Sequence, residues 1–454
     1  MLFQRKWRRA ALTSSIVMAM ALRSGHARAG NDDQLSVGGE AAMYGGAVIA
    51  TVSDGAAGYH NPAGLSQGQR TQLDASITAV GFRFYTTPDL LRASTGEHAG
   101  VTMMELVLMP TAGSFTRRLN DRVVVSFGIF SPRTQFLILQ KGLHLTSPAP
   151  AGTDWLVAIN SIVYTYLIGP SVAYQVNRRF AIGASLHLVY NFEDTSSHAT
   201  GGEGDTGMVP PEQPFLTQSE LFVRTTYGLQ LGWGFQWQID DDYRLGMSMQ
   251  TPGLQVLTWR QTTQSFSASV PATSGGPLSL HQLATEEGFR AKFQAVLPLR
   301  ASLGLARYFD WGRIELDAAY QSGLSGNDLG LARHAVVNGR AGVDYRLSSS
   351  VHLGAGLFTD LSGDTPTAFG LTKVNMFGGT IGMASGTEHR LAAGERARSL
   401  VFGSTLGLRY AYGSGQIGTL EVGPVEAGSA IASNVVTHLR IHEIMLNFGT
   451  ALNF

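Results

Sequence analysis

The chain has 454 residues, a formal net charge of +0 and no cysteine, which excludes disulfides, thiolate chemistry and a charge-driven nucleic-acid partner. Only 15% of residues are charged and 55 are glycine, poorer in charge than the roughly 25% of an ordinary soluble domain. The length allows one large domain or up to three ordinary ones.

In chain order, Arg5, Lys6, Arg8 and Arg9 precede an apolar stretch, Ala10–Leu22, and Ala27-Arg28-Ala29 is an A-x-A cleavage site. Residues 1–29 read as a secretory signal peptide, being too short and too broken by Thr13, Ser14 and Ser15 for a membrane helix. Residues 30–68 are rich in small residues and show neither a long amphipathic face nor strand alternation. Within them, Asn61-Pro62 predicts an N-cap and first position of a short helical turn, and Asp54 could cap an earlier one. Taken alone, Asn-Pro-Ala is an ordinary turn.

From Thr71 onward the period is two. Phe180, Ile182, Ala184, Leu186, Leu188, Tyr190 and Phe192 alternate with smaller or polar residues, and so do Tyr227, Leu229, Leu231, Trp233, Phe235 and Trp237. Such runs exceed the ~5–6 residues of a soluble strand and fit membrane strands, apolar outward and polar inward. Fourteen can be placed, near 71–85, 100–118, 121–132, 163–176, 180–193, 219–238, 243–259, 287–309, 312–324, 333–347, 350–360, 370–386, 398–412 and 436–454. Tight polar turns such as Asn120-Asp121 and Asp240–Asp242 alternate with longer segments near 86–99, 133–162, 194–218, 260–286 and 413–434. Two connections, 361–369 and 386–397, fit this alternation poorly. The expected fold is an all-β transmembrane antiparallel barrel of about fourteen strands over 69–454, because a sheet in lipid must close to pair its backbone. The final strand, alternating to Phe454, resembles the signal read by barrel-assembly machinery.

Gln34-Leu35, Ala41, Gly45-Gly46-Ala47, Ala50, Asp54, Ala56-Ala57 and Asn61-Pro62-Ala63-Gly64-Leu65 together resemble the N-terminal hatch of FadL-type outer-membrane transporters. The resemblance implies a bacterial outer-membrane barrel that takes up long-chain fatty acids or other hydrophobic compounds, its lumen plugged by residues 30–68. It implies a hatch or gate at Asp54, Tyr59, Asn61, Pro62, Ala63, Gly64 and Leu65. It also implies a strand kink opening the wall toward lipid at Gly128, Phe130 and Pro132, where Arg133-Thr134 replaces the family's Phe-Gly. In the family, two later loops collect substrate, which points to Phe215, Leu216, Phe266 and Leu278 as capture candidates.

Inward charges are expected at Arg224, Arg290, Lys292, Arg300, Glu315, Asp317, Arg340, Asp344 and Arg346, most of them as balanced ion pairs. Arg290, Lys292 and Arg300 are candidates for holding the head group of an amphiphile. No metal-ligand spacing or nucleophile motif occurs, and Gly413–Gly418 fits GxGxxG without the helix it needs, so no catalysis, cofactor or nucleic-acid binding is expected. The competing functions are an outer-membrane lipid hydrolase, which requires a Ser–His pair within hydrogen-bond reach, and a general porin for polar solutes.

Overall fold

The computed structural model describes residues 35–68, 71–93, 96–145, 153–203, 215–270, 278–324, 333–363, 372–390, 399–422 and 435–454. Signal-peptide residues 1–29 and the start of the 30–68 segment lie outside them. The strands are β1 (Gln72–Ala93), β2 (His98–Arg118), β3 (Val123–Leu145), β4 (Thr153–Asn177), β5 (Phe180–Glu203) and β6 (Phe215–Gln238). The seventh wall strand breaks at Thr251-Pro252 into β7 (Tyr243–Gln250) and β8 (Gly253–Val270), since proline cannot donate to the ladder. The eighth comprises β9 (Leu278–Arg290), β10 (Ala295–Leu297) and β11 (Arg300–Phe309), with Pro298 in its second break. There follow β12 (Gly312–Gln321), β13 (Val336–Arg346), β14 (Val351–Asp360), β15 (Thr372–Arg390), β16 (Ser399–Gly418), a short rim piece β17 (Leu420–Val422), and β18 (Val436–Asn453).

Joined this way the segments make a closed 14-strand antiparallel barrel. The seam is β1 on β18, in register from Gln72 opposite Asn453 to Thr86 opposite Arg440. Alternation sets the two faces. Met104, Leu106 and Leu108 on β2, Leu229, Leu231 and Trp233 on β6, and Ile444, Leu446 and Phe448 on β18 are all exposed outward, as a lipid-facing band requires. The tight turns follow from their residue types: Asn120 Oδ1 accepts from the N–H groups of Arg122 and Val123, each at 2.9 Å. Asp240 Oδ1 does the same for Asp242 and Tyr243, at 2.9 and 2.7 Å. These side chains mimic a backbone turn and fix the hairpin register. At the same end Trp311 stacks on Phe309, ring centroids 5.0 Å apart, part of an interfacial aromatic girdle.

The connections differ from expectation. Segments 133–162, 194–218 and 260–286 are largely sheet, as β3–β4, β5–β6 and β8–β9 continue far past the apolar band. Beyond the hydrocarbon neither face needs to be apolar, so the period-two signal stops while backbone pairing continues. No strand is gained or lost around 361–397, where β14, β15 and β16 pair in order.

Candidate functional site

Residues 35–68 have no ladder of their own and hydrogen-bond to inward side chains around the wall. Asp317 Oδ2 accepts from Val48 N and Ile49 N at 2.8 and 3.0 Å, and Glu315 takes Ala50 N at 2.7 Å together with the Thr51 hydroxyl. Gln236 donates to Val52 O at 3.2 Å, Gln250 to Tyr59 O at 2.7 Å, and Thr380 to Met43 O at 2.9 Å. Thus strands β6, β7, β12 and β15 each bind the same short segment. Gly45 and Gly46, at φ 64° and 78°, supply a left-handed turn that side-chain-bearing residues rarely adopt. At Gly246 of the wall a Cβ would come within 2.3 Å of Ile49 O.

Asn61 holds the segment's centre. It is 0% exposed, caps the 3-10 turn Pro62–Gln67 by accepting from Ala63 N, and donates through Nδ2 to Ile49 O and Phe235 O at 2.8 and 2.9 Å. Pro62, Ala63 and Leu65 are buried behind it, and a Cβ at Gly64 would meet Val52 O at 2.2 Å. Asp54 forms a side-chain turn rather than a helix cap, accepting from Ala56 N at 3.1 Å and Glu40 N at 3.3 Å. Removal from water pushes its carboxyl well above the usual range, reinforced by the nearby Glu40 and Asp74. Burial raises Glu40 as well, with Arg313 opposing it. These groups line a cavity of about 500 Å³ between the segment and the β1–β18 seam.

On the far side of the segment the lumen is apolar. Tyr85, Leu90, Val101, Leu137, Leu139, Ile159, Phe358, Val374, Met376, Ala411, Ile417, Leu439 and Ile441 form one buried cluster drawn from eight strands. Beneath it runs a layer of charge. Glu443 accepts from Arg83 Nε at 2.7 Å and from Arg409 Nε at 2.9 Å, while Glu105 lies 3.6 Å from Arg83 and accepts from Tyr85 Oη at 2.5 Å. Arg83 Nη2 and Arg409 Nη2 are buried and make no hydrogen bond among the described residues. This layer is absent from the sequence-based candidates. Its signal was present, since Arg83 sits between Phe82 and Phe84, and Glu443 beside Ile444, at inward positions of their strands.

The wall is discontinuous beside this cluster. The β2–β3 ladder runs from Arg118 opposite Val124 to Ala112 opposite Phe130 and stops. Above it, among the described residues, 98–111 pairs with β1 and 133–145 with β4. The β3–β4 register also shifts between Phe130 and Arg133, and every residue from Phe130 to Gln135 is buried, so β3 bends inward. Gly128 makes room for this turn: a Cβ there would lie 2.3 Å from the Phe130 ring. Pro132 O accepts from Leu35 N at 3.2 Å, and Glu105 Oε1 from Phe136 N at 2.6 Å. Leu35, Val107, Met109 and Met445 pack together there with Phe136, Tyr164 and Tyr166 against them.

Other sequence candidates scatter. Arg300 is buried and donates to Tyr59 Oη at 3.1 Å, joining two residues assigned separate roles. Arg290 and Lys292 do not face the lumen; both are exposed, and Arg290 pairs with Glu286 at 2.8 Å. Arg290 ends β9 and Lys292 lies in the break before β10, where alternation no longer separates inside from outside. Arg346 is exposed as well, whereas Arg224, Glu315, Asp317 and Arg340 are buried. Phe266 packs on a cluster containing Leu143, Trp155 and Val157. Phe215, Leu216 and Leu278 lie on strand backbone, opposite Ser269, Ala268 and Val270, and their side chains fall outside the described residues. Ser414 Oγ and His438 Nε2 stand 3.5 Å apart, beyond the ~2.6–3.2 Å of a proton-transfer contact, and face outward.

Residues 20–357 match the family model described as outer membrane protein transport protein (OMPP1/FadL/TodX). No curated protein matches the chain. Among solved structures, the fold resembles a Pseudomonas aeruginosa FadL homologue at TM-score 0.55 and 11% identity, covering 93% of this chain and 100% of that one. It is similar to the Ralstonia pickettii toluene transporter TbuX at TM-score 0.54 and 15% identity, covering 93% and 99%. It is similar to the P. putida toluene transporter TodX at TM-score 0.53 and 17% identity, again covering 93% and 99%.

Proposed function

The chain belongs to the OMPP1/FadL/TodX family of outer-membrane channels for hydrophobic compounds, and from that premise we propose passive uptake through a plugged barrel. Its cargo is a long-chain fatty acid or another hydrophobic compound. Residues 35–68 are the plug. The strongest support is the apolar cluster beside an unpaired stretch of wall: an apolar molecule seated among Leu137, Leu139 and Ile441 lies next to the break above Ala112–Phe130. The Nη2 groups of Arg83 and Arg409 would receive a polar end. Exit is then sideways past Phe136, Tyr164 and Tyr166 once Leu35 withdraws, with no energy source beyond the gradient. Toluene transporters among the similar structures make small aromatic hydrocarbons the principal rival cargo.

Mass spectrometry of ligand co-purified in mild detergent, followed by uptake of labelled oleate and labelled toluene into cells bearing the protein, tests this reading. Saturable uptake of one of them, lowered several-fold by Met109→Trp in the wall break while the barrel stays heat-modifiable on gels, supports it. A large, steady conductance for ions in planar bilayers would overturn it in favour of a polar porin.

A further inference from the structure

The outer surface carries a second chemically distinct feature, on β18, which β1 alone separates from the β2 edge of the wall break. On β18, outward positions run from apolar Phe448, Leu446 and Ile444 to His442, Arg440 and His438. From Ile444 to the strand's end is about ten residues, and ten tilted residues at ~3.3 Å rise span roughly the 25 Å apolar band. His442 and Arg440 therefore stand where the hydrocarbon gives way to head groups, on the rim that carries the long connections. In the described ladders no acidic residue stands opposite His442, Arg440 or His438. Arg440 is opposite Thr86 on one side and Ser414 on the other, and His438 is opposite Gln416. Lys373, in register with Gln416, adds a further cation. His442 is oriented by the Tyr410 hydroxyl, 3.0 Å from Nδ1, and by the Tyr412 ring at 5.1 Å.

Tyr410 also ends an apolar groove of about 570 Å³ on the lipid-facing wall of β12–β16. Ala341, Ala355 and Gly379 form its floor, and Leu357 and Leu408 flank it. In register, Tyr410 faces Gly379, Gly379 faces Leu357, and Leu357 faces Ala341, so the small residues recess the surface across neighbouring strands. A groove with almost no polar lining, opening at hydrocarbon depth beneath Arg440 and Lys373, matches an acyl chain below a phosphate.

We propose that this face is a specific site for a phosphorylated, acylated lipid of the outer leaflet. Its phosphate sits on Arg440, His442 and His438, and one acyl chain lies in the Ala341–Ala355–Gly379 groove. A guanidinium donor to phosphate forms charge-assisted bonds, stronger than neutral ones, and the two imidazole rings add N–H donors. The site would tie the wall from β12 to β18 to the outer leaflet.

The test is native mass spectrometry of the detergent-solubilised full chain titrated with bis-phosphorylated lipid A, with the same lipid after phosphate removal, and with inorganic phosphate. The site requires that the phosphorylated lipid be retained preferentially. The double variant His438→Ala/Arg440→Ala should weaken it about tenfold or more without changing retention of the dephosphorylated lipid. Filling the groove with Ala355→Leu should weaken both lipids. Heat-modifiability on gels verifies that each variant is a folded barrel. Equal retention of the two lipids, unchanged binding in the double variant, or inorganic phosphate binding as tightly as the lipid would each overturn the proposal.

Discussion

Two stretches of one barrel wall behave in opposite ways. Between β16 and β18 every residue from Val401 to Gly418 has a partner, an unbroken ladder from the turn end to the rim. Between β2 and β3 pairing covers only Ala112–Arg118 against Val124–Phe130, and the strands then part. Both stretches are built from alternating apolar and polar residues, so hydrophobic pattern does not separate them. The difference lies in what replaces the ladder. At the break, Ser131-Pro132 removes a donor, buried side chains of Glu105 and Arg83 take up Phe136 N and Thr134 O, and Leu35 binds the Pro132 carbonyl. A wall can open in lipid only if the freed backbone groups find partners inside the protein, and this one provides them in advance.

The largest expected effect comes from removing what stands between the two stretches. Deleting residues 35–65 should raise non-specific permeability at least tenfold in planar bilayers while leaving a folded, heat-modifiable barrel; an unchanged conductance would mean that the segment blocks nothing. Next, the comparison can be inverted. A proline in the continuous β16–β18 wall, Leu408→Pro, should cost about 1–3 kcal/mol through the lost ladder bond, read as a lower unfolding temperature. Pro132→Ala in β3 should change stability little and slow uptake, because the break is already satisfied. Equal destabilisation by both would erase the distinction.

Asn61→Ala is expected to loosen the segment without breaching the wall. It strips Ile49 O, Phe235 O and Ala63 N of a buried partner, at about 1–3 kcal/mol for each group left unsatisfied. Hydrogen exchange should then accelerate across residues 48–65 and stay unchanged in β16 and β18.

The smallest effect is pH dependence. Asp54 and Glu40 titrate higher in the seated segment than in a released one, so the seated form binds more protons. Its stability falls as pH climbs from the ordinary carboxylate range through the raised one, and recovers on acidification. Limited proteolysis of residues 35–68 should therefore increase toward alkaline pH, and Asp54→Asn should flatten that trend. A pH profile identical in the variant would remove Asp54 as its origin.

Much of the barrel was legible because membrane strands write their two faces into alternate residues, as in Tyr227–Trp237, and because Asn120 and Asp240 announce their turns. Along the strands, what is not legible has one cause. Where the strands leave the hydrocarbon, at 133–145 and 278–290, alternation carries no information, so strand reads as loop there; Arg290 ends such a stretch and Lys292 lies in the break that follows it. The charge layer was missed for another reason. Arg83 and Glu105 face each other on β1 and β2, Arg409 and Glu443 lie on the paired β16 and β18, and only the seam between β1 and β18 brings the two pairs together. Asn61 and Pro62 were readable as a cap, but their partners Ile49 and Phe235 were not.

The seam has one further consequence, for how the molecule is made. Phe454 donates its N–H to Thr71 O at 2.9 Å, so β1 and β18 meet only after all the strands between them have been made. Such a union between distant ends is slow to form. Residues 35–68 precede β1, and they must take their place among the inward side chains before that last zipper shuts, or be left outside it.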